Sequence, residues 1–224
     1  MRKMKLITFD FEGTLVNFQW NLDRAVTEVI AAMSGEGITP AVLQGMNYAA
    51  IYNFIKGKEQ EWGFANGYLV SIIAGIYDKY DMDAASRWRP TDDLAGTLHR
   101  FDGYRLALVS NVGRIGLASV LPKFGLNQSF SITVTRNDVN VLKPDPEGLL
   151  QVITAFGAAK DETIHIGDSL ADLHAARKAG VKIGIILGGE NKSEVLLREE
   201  PDLVIDKLSS LPDALTKLGF YPDD

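Results

Sequence analysis

Two acidic residues stand two positions apart directly after the first apolar run of the chain. Asp10 follows Leu6-Ile7-Thr8-Phe9, and Glu12 precedes Gly13-Thr14. A carboxylate can attack phosphorus and form an aspartyl phosphate, which divides one difficult displacement into two easier steps. A second carboxylate on the same side of an extended chain can protonate the leaving oxygen and later activate water. The pair therefore predicts a nucleophile, Asp10, accompanied by a general acid and base, Glu12.

Three further segments offer the other groups that phosphoryl transfer needs. Ser110 and Asn111 follow a second apolar run, and Lys143 stands in a loop before a proline. A hydroxyl, free backbone N–H groups and a lysine can hold phosphate oxygens while charge builds on them. Asp168 follows a third apolar run, with Asp172 four residues later. Carboxylates that face a nucleophile can bind Mg²⁺, which prefers oxygen ligands.

The hydrophobic pattern predicts the elements that position these residues. Short apolar runs predict strands at residues 6–9, 104–109, 131–135, 163–166, 182–187 and 203–205. Amphipathic stretches predict helices near residues 92–101, 114–121, 146–156, 170–179 and 192–199. This alternation is typical of an α/β fold, a Rossmann-like doubly wound parallel sheet with helices on both faces. Its active site is expected beyond the carboxyl ends of the strands, where all four segments would converge.

Residues 17–88 show helical periodicity and no strand-like alternation. The pattern predicts three helices, over residues 22–33, from Thr39-Pro40 to Gly57, and from about Trp62 to Tyr80. We therefore predict two units, an α/β catalytic core of residues 1–16 and 89–224 and an α-helical cap of residues 17–88.

Composition excludes several other classes of protein. The 224 residues carry a net charge of −6, no run of basic residues and no cysteine. A nucleic-acid partner, a disulfide framework and a thiolate metal site are therefore not expected. His99, His165 and His174 are too scattered to suggest a zinc site, and we assign them no role. The apolar stretch after Met1–Lys5 stops at Asp10, too short for export or membrane insertion, so we expect a cytoplasmic protein without a membrane partner.

With these four segments the chain resembles the haloacid dehalogenase superfamily, in the form that carries an α-helical cap after the first motif. It is most similar to the phosphoglycolate-phosphatase-like branch. The superfamily motif of aspartate, any residue, aspartate, glycine, and threonine or valine here becomes Asp10-Phe11-Glu12-Gly13-Thr14. The match extends to Pro201-Asp202-Leu203-Val204-Ile205 and is weakest in the cap. It implies a Mg²⁺-dependent phosphatase that hydrolyses a small-molecule phosphate monoester through a phospho-Asp10 intermediate.

The resemblance also implies how the candidate residues divide the work. Asp10 would be both the nucleophile and a metal ligand. Ser110, with Asn111 behind it, matches the residue that holds the phosphate, and Lys143 matches the lysine that steadies nucleophile and phosphate.

The metal site implied by the resemblance includes residues of the first and last motifs. Asp168 matches a metal carboxylate, and Asp172 matches the second acid, which reaches the metal through water. Position 12 would add its backbone carbonyl as a further ligand. This position departs from the family pattern, because Glu12 stands where the phosphatases have aspartate. The added methylene could displace the carboxyl group by ~1 Å, and such a displacement can cost ~10²-fold in rate.

Two other functions stay open on the sequence alone. A phosphomutase of the same family would keep the phospho-aspartate intermediate and return the phosphate to a sugar. A catalytically weak binding or regulatory protein is suggested by Glu12. Among phosphatase substrates, phosphoglycolate, a sugar phosphate and a nucleotide monophosphate are all compatible with the motifs.

The predicted cap holds one polar cluster, formed by Tyr48, Tyr52, Asn53, Lys56 and Lys58. Its lysines could meet an anionic substrate, but packing of the tyrosines and solvation of the lysines is the favoured interpretation. A glycine pair at positions 188–189 is interpreted as a loop after a strand.

Overall fold

Six apolar segments pair side by side into one parallel sheet in the structure, a computed structural model that describes residues 5–220. The strands are β1 (Leu6–Phe9), β2 (Arg105–Val109), β3 (Ile132–Val134), β4 (Thr163–Gly167), β5 (Lys182–Ile186) and β6 (Leu203–Ile205). Their order in the sheet is β3-β2-β1-β4-β5-β6, and every neighbouring pair is parallel. The first strand therefore lies at the centre, and the predicted fold class is confirmed.

Helices cover both faces of this sheet. They are α1 (Leu22–Gly35), α2 (Tyr48–Lys58), α3 (Tyr68–Ala85), α4 (Leu94–His99), α5 (Arg114–Val120), α6 (Glu147–Phe156), α7 (Leu170–Ala179), α8 (Ser193–Leu197) and α9 (Leu211–Lys217). Successive strand residues point to opposite faces. Leu106 and Leu108 accordingly belong to one buried cluster, and Ala107 and Val109 belong to another. Helix α9 follows the last strand and was not predicted. None of the described helices is long and apolar enough to span a membrane.

Helices α1, α2 and α3 lie between β1 and β2 in the chain, and we call residues 17–88 the helical insert. The two connections to the sheet run side by side. Val16 forms an antiparallel bridge with Pro90, and the Asn17 N–H donates to the Arg89 carbonyl at 3.0 Å. The chain thus leaves and re-enters the core at one place. The division into a core and a separate cap unit stays a prediction.

The prediction of one helix from Thr39-Pro40 to Gly57 is wrong in its first half. Residues Pro40–Val42 form only a short 3₁₀ turn, and α2 begins at Tyr48. The side chain of Asn47 accepts a hydrogen bond from the Ala50 N–H at 2.8 Å and so caps the new helix. An N-cap of this kind satisfies a backbone donor that has no partner within the helix. The apolar residues keep a helical spacing across the break between the 3₁₀ turn and α2. This explains why the sequence predicts one continuous helix.

The third helix begins later than predicted, at Tyr68 rather than near Trp62. Its first N–H groups are bound by the buried carboxylate of Glu59. Glu59 Oε2 accepts from the N–H groups of Leu69 and Val70 at 3.1 and 3.4 Å. A carboxylate at this end of a helix also interacts favourably with the helix dipole. The start of α3 is therefore set by a contact with a residue that follows α2.

Candidate active site

Two of the predicted site residues continue the hydrogen-bond ladder of the sheet by one position. The N–H of Asp10 donates to the Ile166 carbonyl at 2.8 Å, and the N–H of Ser110 donates to the Val134 carbonyl at 2.9 Å. Their backbones are therefore held in register where β1 and β2 end. Both side chains consequently leave the sheet at its carboxyl edge, which is where parallel sheets bind ligands.

Lys143 is buried at this edge and contacts two of the acidic residues. Its Nζ lies 2.7 Å from Asp10 Oδ1 and 2.5 Å from Asp172 Oδ1, and it also donates to the Val109 carbonyl at 2.9 Å. Burial by itself lowers the pKa of Lys143, but the charges of Asp10 and Asp172 raise it above its ordinary value. The lysine is therefore a fixed positive charge beside the predicted nucleophile.

Asp172 is enclosed by hydrogen-bond donors on both of its oxygens. Oδ1 accepts from Lys143 and lies 3.1 Å from His165 Nε2, and Oδ2 accepts from the Ser169 hydroxyl at 2.6 Å. Burial raises the pKa of Asp172, but Lys143 and then His165 more than offset this effect and lower it. Asp172 is therefore held as a charged carboxylate. Because its oxygens are already occupied by protein donors, the arrangement suits contact with a metal through water.

Asp168 faces the same point from the start of α7. Its Oδ1 accepts from the Thr14 hydroxyl at 3.0 Å, and its Oδ2 accepts from the Glu190 N–H at 2.6 Å. A Cβ atom on Gly13 or Gly189 would lie 2.1 or 2.0 Å from Asp168 Oδ2. Two glycines on two different loops thus provide the space that this carboxylate fills.

The buried acids form a cluster that fits a divalent cation. Asp10, Asp168 and Asp172 each offer a carboxylate oxygen within 4.8 Å of the others. Burial, followed by the charges of Asp172 and Asp10, raises the pKa of Asp168 well above its usual range. Lys143 balances only part of this negative charge, and a hard cation with oxygen ligands would balance the rest. The donor set therefore fits a metal site.

Glu12 does not point its hydrogen-bonded oxygen at this cluster. Its Oε1 accepts from the N–H groups of Gln19 and Trp20 at 2.6 and 2.7 Å and from Trp88 Nε1 at 2.8 Å. These three donors belong to the two ends of the helical insert. Burial, only partly offset by these hydrogen bonds, raises the pKa of Glu12 to about 7. The backbone carbonyl of Glu12 stays a predicted metal ligand.

Ser110 and Asn111 differ in what they offer to a phosphate group. Ser110 is 5% exposed and stands at the edge of the cavity beside Asp10. The amide of Asn111 is already engaged, because Oδ1 accepts from the Lys143 N–H at 3.0 Å and Nδ2 donates to the Lys143 carbonyl at 3.1 Å. Asn111 Nδ2 also donates to the Tyr48 hydroxyl at 3.1 Å. Asn111 therefore ties the Lys143 loop to the end of β2, and its role toward phosphate stays a prediction.

Comparison with known proteins assigns the chain to a family. The family model described as a haloacid dehalogenase-like hydrolase matches residues 4–180. This stretch contains all four segments that converge at the carboxyl edge of the sheet. The chain belongs to the haloacid dehalogenase-like hydrolase family.

Individual members of this family are similar over most of the chain. The phosphoglycolate phosphatase of Salmonella typhi is 27% identical over 246 residues, which cover 96% of this chain and 94% of that protein. The pyrophosphatase PpaX of Halalkalibacterium halodurans is 38% identical over 124 residues, 55% of each chain. The crystal structure of a haloacid dehalogenase-like hydrolase from Bacteroides fragilis superposes with a TM-score of 0.64 at 25% identity, over 93% of this chain and 100% of that one. The predicted family resemblance and the predicted hydrolase of the phosphatase type are confirmed.

This member of the family contains a buried arginine that sequence reasoning missed. Arg136 follows β3, is 1% exposed, and donates to Asp78 and Asp81 of α3 at 2.6 Å each. A further hydrogen bond runs from its Nη1 to the Asn111 carbonyl at 2.9 Å. Asp78 and Asp81 are three residues apart on one helix face, a spacing that could have indicated a shared partner. Nothing in the sequence near position 136 marks that partner.

His165 is a second residue that sequence reasoning left without a role. It is fully buried on β4, between Thr8 of β1 and Asp172 of α7. Its Nδ1 lies 2.9 Å from the Thr8 hydroxyl, and its Nε2 lies 3.1 Å from Asp172 Oδ1. His165 thus supports Asp172 from beneath the site. His174 lies on α7, is partly exposed, and has its Nε2 3.8 Å from Glu199 Oε2.

A cavity of about 40 Å³ lies between the carboxyl edge of the sheet and the helical insert. The predicted site residues other than Asp172 line it from the core, and Phe18, Trp20, Leu22 and Tyr48 line it from the insert. A cavity of this volume has room for only a few water molecules. The space therefore suits a small group beside Asp10.

The polar cluster predicted in the insert is divided by the structure. Of its members, only Tyr48 lines this cavity in the described chain. Asn53 binds the backbone of Leu142, accepting from its N–H at 2.7 Å and donating to its carbonyl at 3.0 Å. Lys58 forms an exposed ion pair with Glu61 at 2.7 Å. Lys56 and Lys58 do not reach the cavity, which agrees with the favoured interpretation of solvated lysines.

Proposed function

We propose that this protein is a Mg²⁺-dependent phosphatase that hydrolyses a small-molecule phosphate monoester through a phospho-Asp10 intermediate. The observation that carries the proposal is the buried Asp10 carboxylate, which lines the cavity and is bound by Lys143 at 2.7 Å. The buried acids beside it support a metal site. Bound there by Asp10 and Asp168, and by Asp172 through water, Mg²⁺ would neutralise phosphate charge as the reaction proceeds.

In the first step, a carboxylate oxygen of Asp10 forms a bond to phosphorus, and the bond from phosphorus to the ester oxygen breaks. The carboxyl group of Glu12 gives its proton to the leaving oxygen, so that an alcohol departs. Ser110 and Lys143 hold the phosphate oxygens that gain charge. The raised pKa of Glu12, about 7, is suited to a group that must donate and later accept a proton near neutral pH.

In the second step, the carboxylate of Glu12 takes a proton from water, whose oxygen attacks the phosphorus of phospho-Asp10. The bond between phosphorus and the Asp10 oxygen breaks, which releases phosphate and restores both carboxyl groups to their starting states. The helical insert, residues 17–88, acts as a cap that limits the access of bulk water to these steps. We also propose that the protein is cytoplasmic, as its sequence leads us to expect.

The experiment that tests the proposal measures released phosphate from a broad panel of phosphate esters. We expect turnover with Mg²⁺, none in excess chelator, and recovery when Mg²⁺ is added back. Asp10→Asn should be inactive but folded, because an amide is a poor nucleophile and a poor ligand for Mg²⁺. Full activity of Asp10→Asn would rule out the covalent route. Phosphate passed between sugars without release would identify a phosphomutase, and binding without turnover would identify a regulatory protein.

A further inference from the structure

The cavity beside Asp10 is lined by more acidic than basic side chains. Among the described residues around it, five are carboxylates and two are cations. The carboxylates are Asp10, Glu12, Asp81, Asp168 and Glu190, and the cations are Lys143 and Arg136.

Both cations are already paired. Lys143 contacts Asp10 and Asp172 and stands at the end of the cavity where the phosphate would bind. Arg136 donates to Asp78 and Asp81 and is 1% exposed. A second anionic group on a substrate would therefore find no unpaired cation among the described residues that line the cavity. Desolvating such a group without a cation is costly.

Glu190 differs from the other carboxylates because its side chain is not engaged. It follows β5 in a loop, and its backbone N–H binds Asp168 Oδ2. Within the described chain, no residue donates a hydrogen bond to its carboxylate, although Glu190 lines the cavity. After burial, the charge of Glu190 is the largest influence that raises the pKa of Tyr48, a residue of the insert. Glu190 shares the cavity with Trp20 and Tyr48 of the insert and with Asp10 of the core.

We propose that Glu190 selects the leaving group, so that the substrate is a phosphate monoester of a neutral or cationic alcohol that donates a hydrogen bond to the Glu190 carboxylate. A monoester whose alcohol part carries a second anionic group is disfavoured. This inference rests on the proposed phosphatase function. Of the substrates that the sequence leaves open, it disfavours phosphoglycolate, whose alcohol part bears a carboxylate.

The surroundings of Glu190 support a polar but compact alcohol. Trp20 and Tyr48 provide aromatic walls, and Trp20 packs on Tyr48 with ring centroids 5.0 Å apart. Aromatic walls suit the carbon skeleton of an alcohol, while a single carboxylate can fix its hydroxyl or ammonium group. A site built to receive a hydrogen-bond donor rejects analogues that lack the donor, because its own polar group is then left unpaired.

Three probes with the same two-carbon skeleton test this assignment. They are 2-hydroxyethyl phosphate, O-phosphoethanolamine and phosphoglycolate, which differ in a terminal hydroxyl, ammonium or carboxylate group. We expect kcat/KM for the first two to exceed that for phosphoglycolate by at least about tenfold at saturating Mg²⁺. For larger esters, glycerol 3-phosphate and 3-phosphoglycerate form a second pair that differs in the same way.

Glu190→Gln removes the charge while keeping the size of the side chain and the backbone bond to Asp168. It should reduce the preference for the hydroxyl and ammonium probes over the carboxylate probe by about tenfold or more. Glu194→Gln is the matched control, because Glu194 is an exposed residue of α8 outside the cavity. This control should leave the preference unchanged.

Three results would overturn the assignment. Wild-type protein that hydrolyses the carboxylate esters as efficiently as their matched partners would refute it while leaving the phosphatase function intact. A Glu190→Gln variant with an unchanged preference would show that another residue selects the leaving group. A Glu190→Gln variant that needs more Mg²⁺ equally for every probe would place Glu190 in the metal site. No phosphate release from any ester would instead overturn the proposed function, and this inference with it.

Discussion

Arg136 and Asp81 join the core to the helical insert through a hydrogen bond of 2.6 Å between Nη2 and Oδ2. Arg136 follows β3, Asp81 belongs to α3, and the two side chains are 1% and 2% exposed. Charged groups withdrawn from water to this degree are stable only when they are paired. The position of α3 over the carboxyl edge of the sheet is therefore coupled to a buried ion pair.

Asp81→Ala should lower the free energy of unfolding by about 3 kcal/mol, because the Arg136 charge stays buried with one carboxylate fewer. Asp83→Ala is the matched control on the same helix. Asp83 is 56% exposed and pairs with Arg87 at the surface, so its loss should cost about 0–1 kcal/mol. Urea denaturation of the two variants measures the difference. Equal losses would contradict a specific contribution of the buried pair.

The residues at the strand ends could be located without the structure. Parallel strands end at a common edge, so Asp10, Ser110 and Asp168 had to lie near one another once their strands were recognised. Their residue types and order carried the family resemblance. The family resemblance then suggested a place for Lys143 beside Asp10, and the structure brings the two within 2.7 Å.

The contacts that support this edge could not be predicted in the same way. Arg136 and Asp81 are 55 residues apart, and their pairing depends on how α3 packs on the core. Asn111 has the residue type expected at a phosphate site, but its amide is used by the backbone of Lys143. The pairing of an insert helix or a loop with the sheet is tertiary information, which local spacing and residue type do not contain.

Gly189→Ala should weaken the binding of Mg²⁺ by displacing Asp168. The added Cβ would lie 2.0 Å from Asp168 Oδ2, so the carboxylate or the loop must move. Disturbing the surroundings of a metal ligand typically costs 10–100-fold in metal affinity or activity. We expect the Mg²⁺ concentration for half-maximal activity to rise by about tenfold or more.

Gly75→Ala provides the control for this substitution. Gly75 lies within α3, and a Cβ there would have no neighbour within 4 Å. Alanine is favoured over glycine in a helix interior, by about 1 kcal/mol, so this variant should be at least as stable as wild type with an unchanged Mg²⁺ dependence. An unchanged Mg²⁺ dependence in Gly189→Ala as well would show that Asp168 tolerates displacement or does not bind the metal.

His165 should act as a positioning residue for Asp172 and, through it, for Lys143. His165→Leu keeps an apolar side chain in the buried site but removes the hydrogen bond of 3.1 Å to Asp172. We expect kcat to fall by about 10–100-fold with a smaller change in KM, the usual effect of losing a group that orients a ligand. His165→Gln can place an amide nitrogen near the former Nε2 position and should restore part of the lost kcat. Equal activities in the two variants would argue for packing alone.

Glu12 has a structural contact in this protein and a proposed role in proton transfer. Its Oε1 accepts hydrogen bonds from the two ends of the helical insert. In the proposed mechanism, its position two residues after Asp10 puts it beside the leaving group. Trp88→Phe removes one of the three donors to Oε1 and leaves the carboxyl group in place. It therefore separates the structural contact of Glu12 from proton transfer.

Glu12→Gln should lower kcat by about 10²–10⁴-fold, the usual contribution of a general acid and base. Phospho-Asp10 should accumulate in this variant if hydrolysis becomes the slowest step. Burial raises the pKa of Glu12 to about 7, so the acid form is lost as the pH rises, and the wild-type rate of phospho-Asp10 formation should fall through that range. Glu12→Gln should lack this decline, whereas Glu12→Asp should retain the activity and the decline. Trp88→Phe should retain the activity with the decline shifted to higher pH, because the hydrogen bond from Trp88 lowers the pKa of Glu12. Single-turnover rates measured across pH on one accepted ester distinguish these outcomes. If Glu12→Gln and Trp88→Phe lost the same small fraction of activity with the same pH profile, Glu12 would serve only to hold the insert.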